Sequence, residues 1–186
     1  MSRGVIGIDE VGRGCWAGPL VAGAVLLDRP ISGLKDSKKL SKLQRERLAG
    51  LIQEEALAIG LGWVWPSAID SGGITAAVKT AMRDALAAIT ADYDEVIIDG
   101  NINYFADNPK ARALIKADDT VPAVSAASII AKVARDNYMA EVAAQYPGYG
   151  FEVHVGYGTA KHQAALSQLG VCDIHRRSFR PVRALI

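Results

Sequence analysis

The sequence predicts an α/β fold built on a mixed sheet, and three observations carry that expectation. Two apolar, β-branched runs come first in the chain, at 5–11 and 20–27. Further strand-like runs then alternate with stretches of helical periodicity, the order that packs helices against a sheet. The length of 186 residues, half apolar and 22% charged, fits one domain spanning 1–186 with a sizeable core, and excludes disordered and fibrous classes.

Val5 to Val11 reads as a buried strand carrying Asp9 and Glu10 near its end, broken by Gly12-Arg13-Gly14. Leu20 to Leu27 is a second strand, closed by Asp28-Arg29-Pro30. Ser41 with Gln44 forms a capping box, and the helix behind it places Leu43, Leu48, Leu51 and Ile52 on one side. Leu57 to Trp65 is a third strand, ended by Pro66. Ile74, Val78, Met82, Leu86 and Ile89 step at helical spacing. Val96 to Ile98 is a short strand ending in Asp99-Gly100, and Ala113 to Lys116 a weaker one ending in Asp118-Asp119. A long helix starts at Thr120–Pro122 and runs to about Gln145, where Tyr146-Pro147-Gly148 stops it. Thr159 caps a further helix to Leu169, and the basic tail from Val171 reads as irregular.

Charge is nearly balanced, with 21 Lys and Arg against 20 Asp and Glu. That excludes binding of a polyanion through bulk charge alone, so any nucleic-acid contact must come from local patches. Six basic residues fall between Lys35 and Arg47, six acidic ones between Asp84 and Asp107, and five basic ones between Lys161 and Arg183. Each run also fits a solvated face. The longest apolar run, Leu20 to Leu27, is too short to span a bilayer, and the start shows no secretory pattern. Cys15 and Cys172 make no disulfide framework. A soluble cytoplasmic protein without membrane contact, monomeric by default, is expected.

Asp9-Glu10, Asp99 and Asp118 sit at or just past the ends of apolar runs. Open α/β sheets place ligands beyond strand ends, so neighbouring strands would bring these acids together. Crowded carboxylates repel one another, and a hard divalent cation such as Mg²⁺ or Mn²⁺ removes that cost. Two such ions form a hydrolytic clamp for phosphodiesters. Alternatively, each acid caps a turn or a helix. Asp9 and Glu10 are adjacent and point to opposite faces of a regular strand, so a shared site requires a bend or bulge there.

The segment Gly12-Arg13-Gly14 lacks the ending of a P-loop and does not open a helix, which argues against nucleotide-binding fingerprints. Glycines do allow backbone groups to approach a ligand closely. Ser125, Ser128, Lys132 and Arg135, at offsets of 3, 7 and 10, form one helical stripe that could follow a phosphate backbone. Lys38, Lys39 and Lys42 are further candidates for phosphate contacts. His154, His162 and His175 match no metal-ligand spacing, and Trp16, Trp63 and Trp65 read as packing residues.

Taken together, Gly7-Ile-Asp-Glu-Val-Gly-Arg-Gly14, Ala17-Gly-Pro19, Asp36-Ser-Lys-Lys-Leu-Ser41, Lys116-Ala-Asp118, Ser125-Ala-Ala-Ser-Ile-Ile-Ala-Lys132, His154-Val-Gly-Tyr-Gly-Thr159 and His175-Arg-Arg-Ser-Phe179 resemble ribonuclease HII over essentially the whole chain. The resemblance implies a ribonuclease H-like fold, with a five-stranded mixed sheet flanked by helices and a small helical C-terminal region. It implies metal-dependent endonucleolytic cleavage of RNA in RNA–DNA hybrids and at single ribonucleotides embedded in duplex DNA, leaving 3′-hydroxyl and 5′-phosphate ends. By position, the metal-binding carboxylates are Asp9, Glu10, Asp99 and Asp118; the acid directly after the last, Asp119, makes that placement depend on register. The backbone of Gly12, Arg13 and Gly14 corresponds to the motif that holds the 2′-hydroxyl, and Tyr157 to the tyrosine that packs on the neighbouring deoxyribose. Cys15-Trp16 stands where the family usually has Pro-Leu. Ribonuclease HIII, a resolvase-like carboxylate nuclease and a non-enzymatic nucleic-acid-binding module are the alternatives.

Overall fold

Val5–Val11 forms β1, the middle strand of a five-stranded sheet. The structure is a computed structural model and describes residues 3–34 and 40–186. In chain order the other elements are β2 (Leu20–Leu27), α1 (Lys42–Glu55), β3 (Ala58–Val64), α2 (Pro66–Ala87), β4 (Glu95–Asp99), β5 (Ala111–Leu114), α3 (Ala117–Thr120), α4 (Pro122–Val142), α5 (Phe151–His154), α6 (Ala160–Leu169) and α7 (Arg180–Arg183). The sheet order is β3-β2-β1-β4-β5. β1 pairs antiparallel with β2 and parallel with β4, so the sheet is mixed as expected.

Alternation along β1 sorts the two faces. Ile6 and Ile8 are fully buried in the core that α2 covers through Val78 and Met82. The opposite face packs α1 and α4, with Val25, Ile52, Ala126, Ala127 and Ile129 between them. α4 comes so close to β1 that a Cβ on Gly7 would lie 2.1 Å from the Ala123 carbonyl carbon and the Val124 nitrogen. Glycine at position 7 is therefore what lets this helix sit on the central strand.

Several boundaries differ from expectation, each for a local reason. β5 ends at Leu114 because Ile115 is exposed and Lys116 turns into the left-handed region at φ 58°. α2 begins at Pro66, well before its apolar periodicity, and kinks at Gly73, where φ is 78°. Trp65 is the N-cap of α2 rather than the end of β3. On α1 the capping box is present, with Ser41 accepting from the Gln44 N–H and Gln44 accepting from the Ser41 N–H. Leu43, expected on the apolar side of α1, is 77% exposed, whereas Leu48 and Ile52 are buried. The tail, expected to be a basic irregular segment, contains α7 and is anchored in the core: His175 bridges Ala17, and Arg176 is fully buried. No described helix is long and apolar enough to cross a membrane.

Candidate active site

Each acidic residue reaches the site from a different element. The parallel pairing of β1 with β4 ends at Ile8↔Ile98, so the next residues, Asp9 and Asp99, lie just past the last shared rung, each still paired on its other side, Asp9 with Gly23 and Asp99 with Leu114. After β5, the left-handed Lys116 turns the chain into the single turn α3. The Ala117 N–H donates to Asp99 Oδ1 at 2.8 Å, which docks α3 on the end of β4. The Ser125 hydroxyl donates to the Asp118 carbonyl and docks α3 on α4. One carboxylate oxygen from each of Asp9, Asp99 and Asp118 then lies within 4.8 Å of the others.

Asp9 and Glu10 both line the same cleft of about 490 Å³, without the bulge expected for adjacent strand residues. The ladder with β2 stays regular through Val11↔Val21. Beyond Ile8, β1 has no partner on its β4 side, and the cleft opens around that free edge. Side chains from either face can turn into it. Glu10 stands outside the group of three and pairs with Arg13, its Oε1 3.1 Å from Nη1.

The electrostatics favour a cation. Burial is the largest cause pushing Asp9 up from 3.8 to about 7, followed by the charges of Glu10 and Asp99. The Ser128 hydroxyl and the Glu10 N–H, 2.7 Å from Oδ1, oppose that rise. Burial also raises Glu10, against the pull of Arg13. Buried oxygen donors gathered this closely fit a hard divalent ion, and Asp9, Asp99 and Asp118, with Glu10 beside them, are the residues that could hold one.

Gly12, Arg13, Gly14, Lys132 and Tyr157 line the same cleft as Asp9, Glu10 and Asp99. Gly12 has φ 90°, and a Cβ there would lie 2.5 Å from Arg135 Nε, so no other residue fits. Tyr157 is 38% exposed, and burial of the rest of the side chain beside Cys15 raises its hydroxyl to about 12, so it stays a neutral phenol. Lys132 Nζ lies 5.4 Å from the Tyr157 ring centre and 2.7 Å from Asp136 Oδ1.

Other expected contacts fall elsewhere. Ser125 is buried and bound to the Asp118 carbonyl, so it seats an acid instead of touching phosphate. Arg135 is fully buried and holds the carbonyls of Pro19, Val155 and Ala17. Lys38 and Lys39 lie outside the described residues. Arg45 of α1 lines the cleft and was missed; its place in the basic run, one turn after Lys42, was the available signal. The three histidines, far from any ligand spacing in sequence, gather around Phe151. Trp63 and Trp65 stack on each other and against Tyr138, and Trp16 packs on His162.

Comparison with known proteins agrees with this geometry. The family model described as Ribonuclease HII matches residues 6–182. A ribonuclease HII of Nitrosococcus oceani is 50% identical over 188 residues, covering 100% of this chain and 93% of that protein. Among solved structures, the ribonuclease H2 of Pyrococcus horikoshii superposes with a TM-score of 0.83 at 28% identity, covering 97% of this chain and 96% of that one. The RNase HII of Archaeoglobus fulgidus, solved in complex with PCNA, has a TM-score of 0.82 at 26% identity and covers 95% of each chain. A match that runs from the central strand to the last helix, over a fold that gathers the strand-end acids, places this chain in the ribonuclease HII family.

Proposed function

We propose that this ribonuclease, whose family hydrolyses the RNA strand of RNA–DNA hybrids, also cuts at single ribonucleotides embedded in duplex DNA and so removes them from the genome. One observation carries the reading: Gly12–Gly14 and Tyr157 line the same cleft as Asp9, Glu10 and Asp99, with Asp118 brought within 4.8 Å of Asp9 and Asp99. A 2′-hydroxyl distinguishes RNA from DNA at one position, and bare backbone groups of a glycine loop can satisfy it. A deoxynucleotide leaves those groups unpaired, and discrimination of this kind reaches roughly 10⁴-fold. Tyr157, partly exposed beside that loop, offers a flat face to the next sugar.

Asp9, Asp99 and Asp118, joined by Glu10, are the ligands for Mg²⁺ or Mn²⁺ in this reading. Two such ions, when bound, supply an activated water and stabilise the leaving oxygen. Ser128 orients Asp9, and the Ala117 N–H orients Asp99. Lys132 and Arg45 meet the phosphate charge at the cleft wall. Water oxygen bonds to phosphorus, the bond from phosphorus to the 3′-oxygen breaks, and the products carry a 5′-phosphate and a 3′-hydroxyl.

The test is a labelled duplex containing one ribonucleotide, incubated with Mn²⁺, with Mg²⁺ or with chelator. Metal-dependent cleavage at the ribonucleotide, with those ends, is the expected result. Retention of the uncut duplex would point to a binding module. Cleavage of a four-way junction in its place would point to a resolvase.

A further inference from the structure

The C-terminal motif His175-Arg176 takes no part in the chemistry above, yet its side chains connect to the two recognition elements, Arg176 directly and His175 through His162. Arg176 is fully buried. Its Nε donates to the Gly18 carbonyl at 3.0 Å, and its Nη1 donates to the Arg13 carbonyl at 3.1 Å, in the middle of the Gly12–Gly14 loop. Nη2 is buried with no hydrogen-bond partner among the described residues. The guanidinium also lies over the Phe179 ring, 5.2 Å from its centre, and a buried guanidinium with an unmet donor is costly unless its remaining donors do work.

His175 acts on the other element. Its Nε2 lies 3.0 Å from His162 Nε2, and His162 Nδ1 lies 2.9 Å from the Tyr157 carbonyl. One proton arrangement satisfies every partner. A carbonyl only accepts, so His162 Nδ1 carries the proton and its Nε2 accepts from His175 Nε2–H. His175 Nδ1 then accepts from the Cys172 N–H at 3.0 Å. Backbone bonds join the two elements to the tail: Trp16 N–H donates to the Gly156 carbonyl at 2.8 Å, and Arg176 N–H to the Trp16 carbonyl at 2.7 Å. Val155, just ahead of Tyr157, is held at φ 43°, a strained conformation for a β-branched residue. A loop under strain needs such restraints to keep one position.

We propose that His175 and Arg176 are positioning residues for ribose recognition: Arg176 fixes the Arg13 peptide, and His175, through His162, fixes the Tyr157 peptide, so that both elements face the cleft at a set separation. This rests on the reading that Gly12–Gly14 and Tyr157 recognise the RNA-to-DNA step. Displacement of a positioning element by about 1 Å can cost on the order of 100-fold in rate. Selectivity is then set by the tail, far in sequence from the loop it controls.

The experiment compares wild type, Arg176→Lys, His175→Gln, Tyr157→Ala and the His175→Gln/Tyr157→Ala double variant on a single-ribonucleotide duplex and on an RNA–DNA hybrid, with Mn²⁺. Lys keeps the charge but loses the fork that spans two carbonyls. Each of Arg176→Lys and His175→Gln is expected to lower kcat/KM on the single-ribonucleotide duplex by roughly 10- to 100-fold. In the Tyr157→Ala background, His175→Gln should cost less than about twofold, because the element it positions is gone. Mn²⁺ affinity by calorimetry, without nucleic acid, should be unchanged. Equal losses from His175→Gln in both backgrounds would overturn the proposal, as would an Arg176→Lys variant that cuts at the normal rate. If Arg176→Lys does not fold, the His175 cycle decides alone. A wild-type enzyme that cuts the hybrid but ignores the single ribonucleotide would overturn the recognition reading itself, and this proposal with it.

Discussion

Replacing Asp9 with Asn removes one charge from a crowded, buried group and keeps the shape. Asp9 is 8% exposed, and its pKa stands at about 7 against an ordinary 3.8. Keeping it ionised in the metal-free fold therefore costs up to about 4 kcal/mol, at about 1.4 kcal/mol per pH unit. The sign follows from the direction of the shift. A raised folded pKa favours the protonated fold, a contribution fully present below 3.8 and lost as pH rises through about 7. Asn carries no such loss, and its carbonyl oxygen can still accept from the Glu10 N–H. Allowing about 1–2 kcal/mol for an imperfectly paired buried amide, the variant should be about 2–3 kcal/mol more stable at pH 8. For a chain of this size that is a rise in melting temperature of roughly 4–12 °C. The assay is thermal melting in chelator at pH 5 and pH 8, repeated with saturating Mn²⁺. The gap should widen from pH 5 to pH 8. Mn²⁺ should stabilise wild type more than the variant, and the variant should not turn over substrate. A gap independent of pH, or equal stabilisation by Mn²⁺, would refute the reasoning.

Three further outcomes follow from single contacts. Ser125→Ala removes the hydroxyl that seats α3 by donating to the Asp118 carbonyl. It should cost about 1–2 kcal/mol in urea unfolding and weaken Mn²⁺ binding by calorimetry, and unchanged values in both would remove Ser125 from the support of the site. Gly7→Ala places a Cβ 2.1 Å from the α4 backbone, so the helix must shift; the unfolding free energy should fall by at least about 1–3 kcal/mol, and a neutral result would mean that α4 is not seated as described. Burial, chiefly, lowers His162 and His175 to about 4, while the unfolded rings titrate near 6.5. Stability present above pH 6.5 should thus be lost as pH falls toward 4, by up to about 1.4 kcal/mol per pH unit for each ring. Among the described residues His154 stacks on His162, and Cys172 and Arg177 lie beside His175; none of these neighbours is a carboxylate that would offset this cost. Urea midpoints between pH 7 and 5 measure the slope; His175→Gln should flatten it, and parallel slopes would contradict the assignment.

The parts of the fold that were legible in the sequence are those with a local cause. The capping box at Ser41, the glycine break after Val11 and the apolar run of β2 each act within a few residues, and each appears where expected. The convergence of Asp9 with Asp99 was legible because both follow apolar runs, and strand ends share an edge. The roles of Ser125 and Arg135 were not legible. A polar residue on a helix reads as solvent-facing or ligand-facing, and only tertiary packing turned these two toward carbonyls of α3, Ala17, Pro19 and Val155. The tail was misread for the same reason. Its basic composition matches a solvated segment, whereas the partners that bury Arg176 lie more than 150 residues away in the chain, at Arg13 and Gly18.

The two halves of the site are not independent, because one stripe of α4 serves both. Ser125 seats Asp118, and one turn later Ser128 bonds Asp9. The next turn brings Lys132 over the Tyr157 ring, and Arg135 then holds the carbonyl of Val155 just ahead of that tyrosine. Ten residues of helix, about 15 Å at 1.5 Å per residue, thus run from the carboxylate cluster to the segment carrying Tyr157. A helix is stiff along its axis, so sliding or rotating α4 cannot adjust one end without the other. Close contact of α4 with β1 at Gly7 pins that register to the strand carrying Asp9. The separation between the carboxylate cluster and Tyr157 is therefore set by the same backbone that fixes Asp9 and Asp118.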